Sequence, residues 1–352
     1  MKKNRIVFFI ATLGNGGAER VISILSKQLV CSGEKVEIVL YYDDTPFYDI
    51  HPDIKITYVE RETRSRNLLK NLIWLRRYFV KNADLVISFL AQFNMIALTA
   101  LFGSGIPVIV ADRNDPRHMP KQAPIRLARN ALYHLADTVV VQTQHNKDYF
   151  SASLQKKCKI IYNPVDLQDK KGMALQVEKK KRIVSVARLM KQKNQLMLID
   201  AFAKIKKEFP DYTLTFYGEG PFRNVLESRI QELELGDSIE LPGRVQNVFD
   251  YIADAELFVL PSDFEGMPNA LIEAMCLGLP VISTKVSGAT DLIRHGENGM
   301  LTDVGNTEQL VDCMRKMLEN SELRARCANE AVKLNELLRT DIIVEQWLEL
   351  NR

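Results

Sequence analysis

Short apolar runs alternate along the chain with stretches whose apolar residues recur at helical spacing. Ile6–Ile10 comes first, then a segment from Ala18 to Cys31 closed by Gly33, then Val36–Tyr41 and Ile54–Val59. Leu85–Phe89, Val108–Ala111, Val139–Val141 and Ile160–Tyr162 continue the series, with helical patterns between most of them. Such runs read as buried strands, and their alternation with helices predicts a parallel, doubly wound α/β sheet. After Asn163-Pro164 the pattern lapses into Asp166-Leu-Gln-Asp-Lys-Lys-Gly172 and Glu178-Lys-Lys-Lys-Arg182, a charged stretch that predicts a linker. A second series follows in Ile183–Ala187, Leu214–Tyr217, Ile239–Leu241, Leu257–Leu260 and Val281–Ser283. Two α/β domains are therefore expected, over 1–164 and 168–335, with a tail that is helical from about Thr307 onward.

One strand-to-helix unit carries the most chemistry. Leu257–Leu260 leads into Pro261-Ser-Asp-Phe-Glu-Gly-Met-Pro-Asn-Ala-Leu-Ile-Glu-Ala-Met-Cys-Leu-Gly-Leu-Pro280. Pro268 suits a first helical position, Ala270, Leu271, Ala274, Met275 and Leu277 keep helical spacing, and Gly278 with Pro280 stops the helix. Glu265 then lies in a loop at the carboxyl end of a strand, where open α/β sheets bind ligands, and Glu273 lies inside the next helix. An acid near a helix start is favoured by the helix dipole alone, so neither glutamate by itself marks a site. Together with Gly266 and the free N–H groups of a helix start, they suit a ligand rich in hydroxyls that also carries phosphate.

Composition narrows the field. The chain has 352 residues, 46% hydrophobic and 26% charged, ordinary for a soluble protein with ample core. A net charge of +3 excludes a nucleic-acid-type polycation, so any basic patch is local. Cys31, Cys158, Cys276, Cys313 and Cys327 form no C-x-x-C pair, and read as reduced thiols of a cytoplasmic protein. Met1-Lys-Lys-Asn-Arg5 precedes an apolar run that Gly14-Asn-Gly-Gly17 soon interrupts, which predicts a first strand rather than a targeting peptide. The histidines form no metal-ligand cluster, and no Asp-x-Asp pair or cofactor motif is present.

The Glu-x7-Glu stretch, with its Glu-Gly-Met-Pro-Asn and Glu-Ala-Met-x-x-Gly-x-Pro-Val-Ile pieces, closely resembles the signature of retaining glycosyltransferases of family 4. The resemblance implies the GT-B fold: two Rossmann-like domains facing a cleft, with a last helix, 336–352, crossing back to the first. It implies that Glu273 holds the ribose hydroxyls of a nucleotide sugar, Glu265 the sugar's hydroxyls, and the backbone of Gly266, Met267, Pro268 and Asn269 the sugar and phosphate side. Other loops extend it. Arg188 and Lys193, in the loop after Ile183–Ala187, match the family's diphosphate-binding pair, which stabilises the leaving group without a metal. Gly14-Asn-Gly-Gly-Ala-Glu-Arg20 resembles the family's glycine loop, putting Gly16, Gly17 and Glu19 near phosphates and acceptor; it lacks the G-x-G-x-x-G spacing of a dinucleotide site. Gly218 and Arg244 stand in turns that resemble those flanking the nucleoside. Arg113, in Asp112-Arg-Asn-Asp-Pro116, occupies the place where many members carry a histidine near the donor sugar, and His118 reads as ordinary surface or packing use.

The acceptor is read from the basic segment Arg61 to Lys81. Leu68, Leu72, Leu75 and Phe79 keep helical spacing, and Arg64, Lys70, Arg76 and Arg77 lie largely off that stripe. Either the charged face is merely solvated or it touches anionic lipid or a lipid diphosphate. The expected reaction is metal-independent transfer of an N-acetylhexosamine such as GalNAc or GlcNAc. The donor is a UDP-sugar and the acceptor a polyprenyl-diphosphate-linked saccharide, in surface polysaccharide assembly such as O-antigen or capsule. The expected place is the inner membrane face, with peripheral contact to anionic lipid and no nucleic acid. The rivals are a nucleotide-sugar epimerase or phosphorylase and a non-catalytic nucleotide-sugar sensor on the same fold.

Overall fold

The computed structural model describes residues 5–14, 16–165, 167 and 170–350. The chain divides into two units: Met1–Asp166 with Leu338–Arg352, and Leu167–Leu337. Asp166, Gln168 and Asp169 of the expected linker, and Met1–Asn4, lie outside the described residues.

The first unit is built on seven parallel strands: β1 (Arg5–Ile10), β2 (Lys35–Leu40), β3 (Lys55–Tyr58), β4 (Leu85–Phe89), β5 (Val108–Ala111), β6 (Thr138–Val141) and β7 (Cys158–Ile160), in the order β3-β2-β1-β4-β5-β6-β7. Alternation along β1 supplies both faces of the sheet. Ile6, Phe8 and Ile10 pack with the helix Gly17–Cys31, and Val7 and Phe9 pack with the helices Leu68–Asn82 and Ala91–Leu101. The helix Thr340–Glu349 joins the first face, where Trp347 is buried and stacks on Phe89 with centroids 5.8 Å apart.

The second unit has six parallel strands: β8 (Lys180–Val186), β9 (Thr213–Tyr217), β10 (Ile239–Gly243), β11 (Ala255–Leu260), β12 (Val281–Thr284) and β13 (Met300–Thr302). Their order is β10-β9-β8-β11-β12-β13. In both sheets the winding reverses beside the first strand, between β1 and β4 and between β8 and β11. In open α/β sheets, ligands bind beyond the carboxyl ends of the strands at such a reversal.

Several details depart from the sequence reading. Lys180–Arg182 begin β8 rather than belonging to the linker; Arg182 bonds Asp254, and Lys181 pairs with Asp211 at 2.8 Å. The last strand of the first sheet is Cys158–Ile160, upstream of the expected Ile160–Tyr162, and β13 had no counterpart in the expected series. The basic segment is two helices, Val59–Thr63 and Leu68–Asn82, separated at Arg64, whose φ of 49° is left-handed. Leu75 and Phe79 are buried, whereas Leu68 is 52% exposed in the first turn, which Asn67 caps. Of the cysteines, Cys31 is exposed and the other four are buried free thiols.

Candidate active site

The unit between β11 and β12 has the shape that its sequence suggests, with one correction. Pro268 stands just before the helix Asn269–Leu277, at φ −78° and ψ 102°, because an extended conformation there turns the chain out of the Glu265-Gly-Met loop. Gly278 closes the helix at φ 86°, where its N–H bonds back to Met275 and Leu279 N–H reaches Ala274. Glu273 is buried in the second turn of this helix.

Two loops meet at the β8/β11 reversal and are laced to one another. Asp263 N–H donates to Gln192 O (2.8 Å), Gln192 Nε2 to Phe264 O (2.7 Å), and Asn194 Nδ2 to Asp263 Oδ1 (2.8 Å). At their centre Lys193 Nζ lies 2.5 Å from Glu265 Oε1, and Ser262 Oγ donates to that same oxygen at 2.7 Å. Glu265 is buried and Lys193 partly so, so the pair is a charge-assisted contact with restricted solvation, stronger than a surface ion pair. Ser262 is tied in turn to β12 by the Thr284 hydroxyl, 2.5 Å from Ser262 O.

Arg188 is exposed on the β8 side of the same loops. Its backbone is fixed by a ladder that prolongs β8 and β9: Ala187 N–H to Tyr217 O and Leu189 N–H to Glu219 O, both 3.1 Å. This close approach needs glycine. A Cβ on Gly218, at φ 146°, would stand 1.9 Å from Ala187 O, and one on Gly220 would stand 2.3 Å from Leu189 O. Gly218 N–H also bonds Gly243 O, which brings the turn before exposed Arg244 beside the β9 loop. Arg223, with a smaller contribution from Arg244, holds the Glu219 carboxyl below its ordinary range.

A supporting contact was invisible in the sequence. Gly288, in the short helix Ser287–Leu292 after β12, packs under the Glu265 loop; a Cβ there would meet Pro268 Cδ at 2.7 Å, Met267 Cα at 2.8 Å and Gly266 O at 2.9 Å. Since the obstacles are backbone and ring, Gly288→Ala is expected to push the loop out. Turnover should fall by roughly 10²-fold for a shift of about 1 Å. The melting temperature should drop only by the few degrees that ~1–3 kcal/mol of overpacking allows. Parallel kinetics and thermal melts check this, and equal turnover in the variant would show that the loop is not held by this contact.

The remaining positions lie on the first unit. Gly16 precedes the helix Gly17–Cys31 and Glu19 sits in its first turn, after β1; Asn15 of that loop lies outside the described residues. Arg113 follows β5 and is buried, with Nη2 2.5 Å from Asn163 Oδ1; burial pushes its guanidinium down to about 9. Its neighbour Asp112 is engaged elsewhere, accepting from Tyr133 OH at 3.2 Å and lying 3.6 Å from Arg129 Nη1. His118 Nδ1 lies 3.1 Å from Asp115 Oδ2. Arg64, Lys70 and Arg77 are exposed, but Arg76 is committed: its Nη1 donates to Ala100 O (3.0 Å) and Phe102 O (2.7 Å), closing the helix Ala91–Leu101. Among the described residues, no group of three or more His, Cys, Asp or Glu is placed to hold a metal ion.

Two parallel sheets of this topology, with charged loops at the reversal point of the second, define a GT-B protein. The sequence profile of the Glycosyltransferase Family 4 domain matches residues 15–169, and that of Glycosyl transferases group 1 matches residues 168–334. A Campylobacter jejuni protein is 33% identical over 93% of both chains; it is an N-acetylgalactosamine-N,N'-diacetylbacillosaminyl-diphospho-undecaprenol 4-alpha-N-acetylgalactosaminyltransferase. A second C. jejuni N-acetyl-D-galactosaminyltransferase, whose name carries a diNAcBac-PP-undecaprenol acceptor, is 28% identical over 98% of both chains. The chain belongs to glycosyltransferase family 4 and is a glycosyltransferase of glycan biosynthesis. Among solved structures, HepE of Anabaena in complex with UDP superposes with a TM-score of 0.82 at 20% identity, covering 98% of both chains. Sucrose-phosphate synthase of Thermosynechococcus elongatus gives 0.84 at 19%, covering 99% of this chain and 98% of that one.

Proposed function

We propose that this enzyme transfers an N-acetylhexosamine from a UDP-sugar to a polyprenyl-diphosphate-linked saccharide, with retention of configuration and without a metal. The observation that carries the reading is the Lys193–Glu265–Ser262 cluster at the β8/β11 reversal, with Arg188 on the adjoining loop. The relatives' names supply the transferred sugar and the lipid diphosphate, and the UDP in HepE favours uridine.

In this reading 168–335 takes the donor and 1–164 the acceptor, with 336–352 completing the first domain. Glu273 accepts from the ribose hydroxyls and Glu265 from those of the sugar. Arg188 and Lys193 face the diphosphate, while the Gly266–Asn269 backbone borders sugar and phosphate. Gly218 and Arg244 flank the nucleoside; Gly16, Gly17 and Glu19 border the phosphates and acceptor. As the anomeric carbon–oxygen bond breaks, negative charge grows on the departing diphosphate, and two fixed cations stabilise it with little reorganisation. The departing phosphate oxygen takes the proton of the incoming hydroxyl on the same face of the sugar, so no separate base is required. Lys193 is well suited to this, since Glu265 already holds its ammonium in place.

The acceptor's lipid implies work at the inner membrane face, through peripheral contact. Among the described residues no helix is long and apolar enough to cross a membrane. Exposed Arg64, Lys70 and Arg77 each contribute on the order of 1 kcal/mol near an anionic surface. Reversing those three charges should weaken binding to anionic liposomes, and turnover on lipid-linked acceptor, while sparing UDP binding. Arg76 is left out because its loss would also free the carbonyls of Ala100 and Phe102. A triple variant that binds liposomes and extends the lipid acceptor like the wild type would favour a soluble acceptor.

A further inference from the structure

Three side chains at the carboxyl edge of the first sheet are locked to one another and leave polar atoms unanswered. Arg113 follows β5, Gln142 follows β6 and Asn163 lies just beyond β7; they are 7%, 1% and 3% exposed. Asn163 Oδ1 accepts from Arg113 Nη2 at 2.5 Å and from Gln142 Nε2 at 2.8 Å. A guanidinium only donates, so Asn163 must present its oxygen, and Gln142 must meet that oxygen with its NH2. The orientation of Gln142 is thereby fixed, with Oε1 on the other side of its amide. Arg113 Nε and Nη1 and Gln142 Oε1 are buried without a hydrogen-bond partner. Asp112, bonded to Tyr133 and beside Arg129, acts on Arg113 through its charge and offsets part of the cost of burial, and the Arg113 guanidinium lies 5.5 Å from the Phe89 ring centroid. A buried cation and a buried carbonyl left this way cost several kcal/mol unless a ligand answers both.

We infer that Arg113 and Gln142 form a specificity site for the acetamido group of an N-acetylated sugar. The guanidinium donates to the amide carbonyl, and Gln142 Oε1 accepts the amide N–H. An oxyanion would satisfy the cation alone and would be repelled by the Gln142 carbonyl; a secondary amide offers one acceptor and one donor, as the pair requires. The inference rests on the proposed sugar transfer and adds the residues that choose the sugar.

The test compares kcat/KM for acetamido and hydroxyl substrates in two arms. One uses UDP-N-acetylhexosamine against UDP-hexose, and the other an N-acetylated against a non-acetylated acceptor sugar. Such ratios do not depend on the fraction of folded enzyme. Gln142→Leu should lower the acetamido value by roughly 10- to 100-fold and leave the hydroxyl value within about twofold, and Arg113→Lys should lower the acetamido value by roughly 10-fold more than the hydroxyl value. The arm that changes identifies the sugar as donor or acceptor. Equal losses for both substrates, or no loss, would overturn the assignment. Saturation-transfer NMR with a methyl N-acetylhexosaminide is independent of turnover: the acetamido methyl should be saturated by the wild type and not by Gln142→Leu. Should the wild type transfer no sugar yet saturate that methyl, the proposed reaction fails and the specificity site stands. No saturation by the wild type overturns the site.

Discussion

Lys193→Ala is expected to lower kcat by roughly 10²–10³-fold, the loss typical when one fixed donor to a developing anion is removed. It should also destabilise the fold, because Glu265 is buried and its carboxylate would keep only the Ser262 hydroxyl among the two partners it has now. Removing one partner of a buried pair costs about 3–5 kcal/mol, of which Ser262 and solvent relieve part. Lys193→Ala with Glu265→Gln isolates the stability effect. Neutralising the glutamate should restore much of the melting temperature while turnover stays low. If the single variant turns over like the wild type, Lys193 is only the counter-ion of Glu265 and takes no part in the leaving group's departure.

Gly218→Ala is the second large effect. The residue sits at φ 146°, and its Cβ would overlap Ala187 O at 1.9 Å, a backbone atom held in the ladder that fixes the Arg188 loop. Strain of this kind costs about 1–3 kcal/mol, and displacing the backbone adds to it. The melting temperature should fall by about 2–4 °C for each kcal/mol. Arg188 moves with the ladder, so kcat should fall beyond what lost folded protein explains, and titration of correctly folded sites with UDP distinguishes the two. Wild-type melting and turnover would mean that the β8 and β9 loops are not pressed together as described.

Much of this architecture could be read from the sequence because parallel strands are covered on both faces. Leu257–Leu260 and Val281–Ile282 are apolar for that reason, and all are buried. Where the rule weakens, the reading failed. Lys180–Arg182 begin a strand in register with its neighbours, but their side chains are paired with Asp254 and Asp211 rather than buried, so they look like linker. Met300–Thr302 is too short a run to stand out. Glu265, Arg188 and Lys193 could be singled out because their loops resemble a known signature. Gln192 and Asn194 act through partners some 70 residues away in sequence, as in the Gln192–Phe264 bond with its separation of 72. Gln142 and Asn163 pose the same difficulty, since nothing in the local spacing of either announces a shared bond to Arg113.

The most direct measurement of the central claim is transfer from a UDP-α-N-acetylhexosamine to an undecaprenyl-diphosphate-linked saccharide in excess EDTA, followed by UDP release and by NMR of the product's anomeric proton. Arg188 and Lys193 as the stabilisers of the leaving group predict undiminished UDP release in EDTA, an α-linked product, and a steep loss in Arg188→Ala. Strict dependence on added metal, or a β-linked product, would contradict it.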